Sequence, residues 1–142
     1  MSIKKAKVGF VALVVAASSF VAITSATTAN AAATSQWCKG VKIAAFPGGP
    51  QGGVFANNVY NGFKQAEKDL GPTVKYYFSD WDSAKLVTQM KEAVATKPHG
   101  MAIYGFGGPE ATTPIVDDAY KKGIIVTSLN SELTALQSKY AA

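Results

Sequence analysis

From Val41 to Ser128 short apolar runs alternate with amphipathic stretches, and few folds admit that alternation. Val41 to Phe46 (VKIAAF) reads as a strand that feeds the glycine-rich loop Pro47 to Gly53. Phe55, Val59, Phe63, Ala66 and Leu70 recur at helical spacing, and Gly71-Pro72 stops that helix with a left-handed cap and a residue that cannot continue it. A second strand, Val74 to Phe78 (VKYYF), runs into Ser79-Asp80-Trp81-Asp82-Ser83. Its helix aligns Leu86, Val87, Met90, Ala93 and Val94, with Asp82 or Ser83 as N-cap and Pro98 beyond the end. The third strand is Gly100 to Tyr104, with a loop to Glu110. Thr113-Pro114 is read as cap and first helical residue, and Lys121-Lys122-Gly123 as a basic last turn closed by glycine. Ile124 to Ser128 is the fourth strand, and a polar, amphipathic tail spans Ser131 to Tyr140.

Apolar strands joined by helices imply a parallel sheet covered on both faces through right-handed crossovers, which is a doubly wound, Rossmann-like α/β lobe. In such sheets ligands bind at the carboxyl ends of the strands, near the point where strand order reverses. The rule selects the loops at Phe46 to Phe55, Ser79 to Asp82, Tyr104 to Glu110 and Leu129 to Ser131. Phosphate binding is disfavoured. The first loop lacks the Lys-Ser/Thr of a P-loop, and Glu110 stands where a dinucleotide fingerprint needs its third glycine.

The selected loops instead pair aromatic rings with short polar side chains: Phe46, Phe55, Trp81 beside Asp80 and Asp82, Tyr104, Phe106 and Asn130. Sugars require that mixture, since a ring covers the C–H face of a pyranose or furanose while carboxylates and amides bind neighbouring hydroxyls. Taken singly, Asp82 also reads as a helix cap, Phe55 as core and Tyr104 as the close of its strand; convergence on one sheet edge favours the ligand reading.

The amino terminus carries Lys4, Lys5 and Lys7, an uncharged apolar run from Val8 to Ile23, and the A-x-A sites Ala29-Asn30-Ala31 and Ala31-Ala32-Ala33. That is a secretory signal over residues 1–33, leaving 34–142 as the mature domain. Removing those three lysines from 14 leaves 11 against 9 acidic residues, a net of +2 that argues against nucleic-acid or anionic-membrane partners. One cysteine, Cys38, and one histidine, His99, cannot form a Cys/His zinc site or an internal disulfide. No metal or cofactor is expected, and Cys38 is read as an ordinary cysteine near the mature terminus. His99 precedes the third strand, at the end away from the selected loops, and Asp117-Asp118 reads as a solvated helix face, so no catalytic set is expected.

The stretches KIAAFPGGPQGGVFANNVYNGFKQAEKDLG, YYFSDWDSAKLVTQMKEAVATKPHGMAIYG and AYKKGIIVTSLNS resemble the amino-terminal part of type I periplasmic sugar-binding proteins, in the ribose-like and autoinducer-2-like branch. The resemblance covers Val41 to Ser131. It implies an exported solute-binding component of an ABC sugar importer, periplasmic, holding a monosaccharide or related small polar ligand and meeting an inner-membrane permease. The ligand residues it implies are Gly48 and Phe55 with the first loop, Trp81 and Asp82, Tyr104 and Gly105, and Asn130; Phe46 joins them from the aromatic pattern. Such receptors resemble two α/β lobes joined by a hinge, and this chain has the length of one, so a truncated receptor is the expectation. A stand-alone periplasmic sensor or interaction module, and more distantly a small exported enzyme, are the alternatives.

Overall fold

Four strands and three helices alternate in the computed structural model, which describes residues 36–130. They are β1 (Lys42–Gly48), α1 (Val54–Leu70), β2 (Thr73–Phe78), α2 (Ser83–Ala95), β3 (Gly100–Tyr104), α3 (Pro109–Lys121) and β4 (Ile125–Leu129). All strand pairs are parallel, in the order β2-β1-β3-β4. The chain steps from β1 one way to β2, then back across β1 to β3 and on to β4. Right-handed crossovers therefore put α1 on one face and α2 and α3 on the other, and strand order reverses beside β1. The α/β parallel-sheet fold expected from the alternation is the fold observed.

The core lies on the α2/α3 face. Ala44 and Phe46 of β1, Tyr77 of β2, and Met101 and Ile103 of β3 meet Leu86, Met90, Ala93 and Val94 of α2 and Ile115, Val116 and Ala119 of α3. Phe46 is fully buried and stacks on Tyr77 with ring centroids 4.8 Å apart and planes 10° from parallel. On the opposite face α1 buries only Ala56 completely. The stripe Val59, Phe63, Ala66 and Leu70 is half-covered, a thinner cover than the periodicity implies. Its contact with β2 is aromatic: Tyr60 meets Tyr76 edge-on at 4.7 Å and Phe78 at 5.7 Å. Glu67 ties the two elements, accepting hydrogen bonds from the Val74 amide and the Tyr76 hydroxyl while pairing with Lys64. Burial opposes charge on Glu67, but the Lys64 ammonium, the Val74 amide and the Tyr76 hydroxyl together hold its carboxyl below the usual range.

Several boundaries differ from the sequence expectations. The first strand runs on through Pro47 and Gly48, and its register with β2 slips between Ala45 and Gly48. A proline inside an inner strand is tolerated at such an irregularity, because no ladder hydrogen bond is demanded of its missing N–H. The third helix starts at Pro109 with Gly108 as N-cap, so Thr113-Pro114 lies inside it. Thr112 and Thr113 turn their hydroxyls onto the carbonyls of Gly108 and Pro109 within that first stretch. The fourth strand begins at Ile125, one residue late, because Ile124 is buried in the turn that bonds back to Ala119. Asp118 is paired with Lys122 at 2.7 Å rather than merely solvated. His99 Nδ1 accepts a hydrogen bond from the Lys42 amide at 2.9 Å, which stitches β1 to β3 at the end opposite the selected loops. The expected signal segment, residues 1–33, and the tail after Asn130 lie outside the described residues.

The outer edge of β4 carries neither charge nor proline, and Ile125 is 71% exposed. Beside it, Val41, Ile43, Ala102, Ile125 and Thr127 line an apolar hollow on the α1 side of the sheet. Unguarded edges pair with whatever strand is offered. The 142-residue chain is accordingly expected to self-associate, and Ile125→Lys to reduce the association. Light scattering that finds a monodisperse monomer in the unsubstituted protein contradicts this.

Candidate ligand-binding site

The carboxyl ends of the strands bring together a cluster of four rings. Phe55 stands at the start of α1, Trp81 in the turn after β2, Tyr104 at the end of β3, and Phe106 two residues on. Trp81 lies 5.5 Å from Phe55, 5.3 Å from Tyr104 and 5.6 Å from Phe106, at interplanar angles of 52°, 72° and 73°. Phe55 meets Tyr104 edge-on at 5.2 Å. Edge-to-face contact at these separations is favourable for aromatic quadrupoles. Trp81 nevertheless remains 45% exposed and Phe55 37%, so the cluster presents apolar ring surface to solvent where strand order reverses.

The backbone that carries Trp81 is unusual. Asp80 and Trp81 both have left-handed φ, +55° and +61°, which costs a non-glycine residue about 1–2 kcal/mol each. Buried contacts hold the turn there. The Ser79 hydroxyl donates to the Gly48 carbonyl at 2.7 Å, the Trp81 amide reaches the same oxygen at 3.3 Å, and the Asp82 amide bonds to the Ser79 carbonyl at 2.8 Å. Asp80 pairs with Lys85. Strain of this kind persists only where the surroundings over-determine it.

Of the residues expected at the site, Phe55, Trp81 and Tyr104 converge. Asn130, which follows β4, joins them by donating from Nδ2 to the Tyr104 hydroxyl at 2.8 Å. That bond uses the Tyr104 oxygen as acceptor and leaves its hydrogen to be donated. Asn130 has φ +60°, a conformation asparagine tolerates better than most residues. Gly105 is buried in the tight turn, closed by the Phe106 amide on the Tyr104 carbonyl at 2.9 Å, that brings Phe106 beside Tyr104. Asp82 lies at the same edge but caps α2, one carboxylate oxygen accepting from the Lys85 amide at 2.9 Å. Gly48 forms the floor beneath the rings: a Cβ there meets Trp81 at 2.9 Å and Tyr104 at 3.3 Å.

Phe46 is placed elsewhere, and the expectation for it is corrected. Strand alternation turns it into the α2/α3 core against Tyr77, away from the loop edge. Phe106, named among the rings of the selected loops but not carried into the implied ligand set, joins the cluster, and Ser79 is the member to which no role was assigned from sequence. The signal for Phe106 was available in Tyr104-Gly105-Phe106, since a glycine between two aromatics at a strand end permits the turn that sets them side by side. Nothing local marks Ser79, whose partner lies 31 residues earlier. Among the described residues no group of three or more His, Cys, Asp or Glu is placed to hold a metal ion, and no helix is long and apolar enough to cross a membrane.

A parallel four-stranded sheet with an aromatic, amide-bearing edge at its switch point defines a Rossmann-like lobe whose exposed chemistry suits a small polar ligand with an apolar face. The chain belongs to the family described as periplasmic binding protein domain, which matches residues 43–142. Three solved structures share the fold. An ABC transporter solute-binding protein from Mycobacterium smegmatis with bound glycerol superposes at TM-score 0.59 and 18% identity, over 66% of this chain and 32% of that one. A periplasmic sugar-binding protein from Pseudomonas fluorescens gives 0.60 and 19%, over 70% and 30%. A periplasmic ribose ABC transporter protein from Conexibacter woesei gives 0.56 and 24%, over 68% and 31%. The chain thus spans about a third of the length of the solved structures it matches. No curated protein matches it.

Proposed function

We propose that this chain is the amino-terminal lobe of a solute-binding component of a bacterial ABC importer, which takes a neutral monosaccharide or similar small polyol in the periplasm. The observation that carries the reading is the exposed ring cluster Phe55, Trp81, Tyr104 and Phe106, with Asn130 bonded to Tyr104, at the switch point of the sheet. Family membership and the printed descriptions of the structural neighbours support it. The ionisable groups at this edge disfavour an anionic ligand, since Asp82 and Glu110 stand there as carboxylates beyond the Asp80 pair with Lys85. Asp80 and Lys85 neutralise each other, and Asp82 is engaged at the helix cap.

Binding alone, without catalysis, is the proposed role, because the carboxylates of the described edge are taken up by the Lys85 pair and the α2 cap or stand at the α3 start, beside rings, amides and hydroxyls and with no histidine or cysteine. The remaining half of the ligand surface would come from a second lobe, and delivery from contact with a membrane permease. The proposal is tested by titrating ribose, xylose, glucose, galactose and glycerol into the chain extended by its second lobe, with glucuronate and glutamate as charged controls. Saturable quenching or enhancement of tryptophan emission by a neutral sugar or polyol is the expected result. A response confined to the charged controls, or to none of the panel, overturns it.

A further inference from the structure

Trp81 rests on a floor that has no side chains. A Cβ built on Gly49 falls 2.6 Å from the indole Cε2, 2.7 Å from Nε1 and 2.8 Å from Cζ2; on Gly48 it falls 2.9 Å from Cζ3. Three bonded ring atoms at nearly equal distance mean that the Gly49 backbone meets the face of the indole rather than its rim. Phe55, Tyr104 and Phe106 approach at 52° to 73°, so none of them lies parallel over the indole. One indole face is therefore seated on glycine backbone, and with Trp81 45% exposed part of the ring surface remains open to solvent. The same floor is tied to the turn that carries the ring, because the Gly48 carbonyl accepts from both the Ser79 hydroxyl and the Trp81 amide.

We infer that Gly49, with Gly48 beside it, is a positioning residue for the bound ligand: the bare backbone sets the depth and tilt of the Trp81 indole, and so the plane on which a sugar ring stacks. The inference rests on the binding role proposed above. Gly49 differs from Gly48 in a useful way. Gly48 has φ +96°, which strains any side chain placed there, whereas Gly49 is not in the left-handed region. An alanine at Gly49 avoids the left-handed strain, and the three atoms nearest its methyl group all belong to the indole. Because the atoms it strikes belong to a half-exposed side chain, the ring moves and the strand stays.

The test uses the 142-residue chain with Trp37→Phe, which leaves Trp81 as the single tryptophan; Trp37 is 72% exposed. Gly49→Ala is expected to move the indole N–H resonance, shift the emission to longer wavelength and raise acrylamide quenching, with the far-ultraviolet circular dichroism unchanged. Gly62→Ala, on α1 with nothing within 4 Å of the added carbon, is expected to leave all three signals in place. In the chain extended by a second lobe, calorimetric titration with D-ribose and D-glucose is expected to show about a tenfold loss of affinity in Gly49→Ala, the size of a misplaced aromatic anchor. An indole spectrum identical in Gly49→Ala and its parent overturns the seat. A displaced indole with sugar affinity unchanged overturns the positioning role. If the extended parent itself gives no sugar response, the binding role fails, and the spectra of the short chain alone decide the seat.

Discussion

Phe46→Ala is expected to lower the urea midpoint of the described lobe sharply and to bring it close to unfolding at room temperature. The ring is fully buried, stacks on Tyr77 and shares its cluster with Leu86, Met90, Met101 and Ile103. Removing a buried phenylalanine costs about 3–5 kcal/mol from lost transfer energy and the cavity left behind. A domain of this size has about 5–15 kcal/mol in all, and here the deep core lies on one face of the sheet while α1 covers the other thinly. Little is in reserve. Urea unfolding followed by circular dichroism checks the expectation, with Phe55→Ala as the contrast: that ring is 37% exposed, and its loss is expected to change stability by about 1 kcal/mol or less. A Phe46→Ala midpoint equal to that of Phe55→Ala contradicts the assignment of the two phenylalanines to core and edge.

The second large effect is on binding. A sugar resting on this lobe alone has its outer half in water, where each hydroxyl keeps its solvent hydrogen bonds and a protein hydrogen bond adds little. Small-ligand sites commonly bury about 70–90% of the ligand surface. The 142-residue chain is therefore expected to bind neutral monosaccharides at millimolar strength or weaker, and the chain extended by a second lobe far more tightly. In the extended form Trp81→Ala is expected to lower affinity about thirtyfold, corresponding to about 2 kcal/mol for a central aromatic anchor. Asn130→Ala, which frees the Tyr104 hydroxyl, is expected to cost up to about tenfold, in line with the loss of a hydrogen bond that is exposed in this lobe and would be closed off by a second one. Calorimetric titration of both variants is the measurement. Tight binding by the short chain refutes the need for a second lobe, and unchanged affinity in both variants refutes the site.

Much of the architecture was legible because it rests on local signals. Helix α1 ends where Gly71 supplies φ +82°, and α2 begins where Asp82 accepts from the Lys85 amide; each needs only residues a few positions apart. The start of α3 was misplaced because two prolines compete as first helical residue. Pro109 follows a glycine free to adopt φ +77°, whereas Thr113-Pro114 reproduces a cap signal inside the helix. The loop rule brought Phe55, Trp81, Tyr104 and Asn130 to one edge because parallel topology sends every strand end there. It failed for Phe46, since the loop rule names a stretch of chain and not the face on which a side chain emerges.

The sequence by itself determined the alternation of strands and helices, the parallel sheet that follows from it, and the edge at which chemistry is exposed. These depend on apolar period, on glycine and proline, and on the handedness of crossovers, all carried by neighbours in the chain. Only the tertiary structure decided that Phe46 belongs to the core, that Asp80 pairs with Lys85, and that Trp81 lies on the bare backbone of Gly49. Each of those outcomes turns on a distance between groups that lie near one another only after packing, or on which of several local partners a side chain takes. Hydrophobic period is blind to such distances, because it reports that a residue must be covered and never by what.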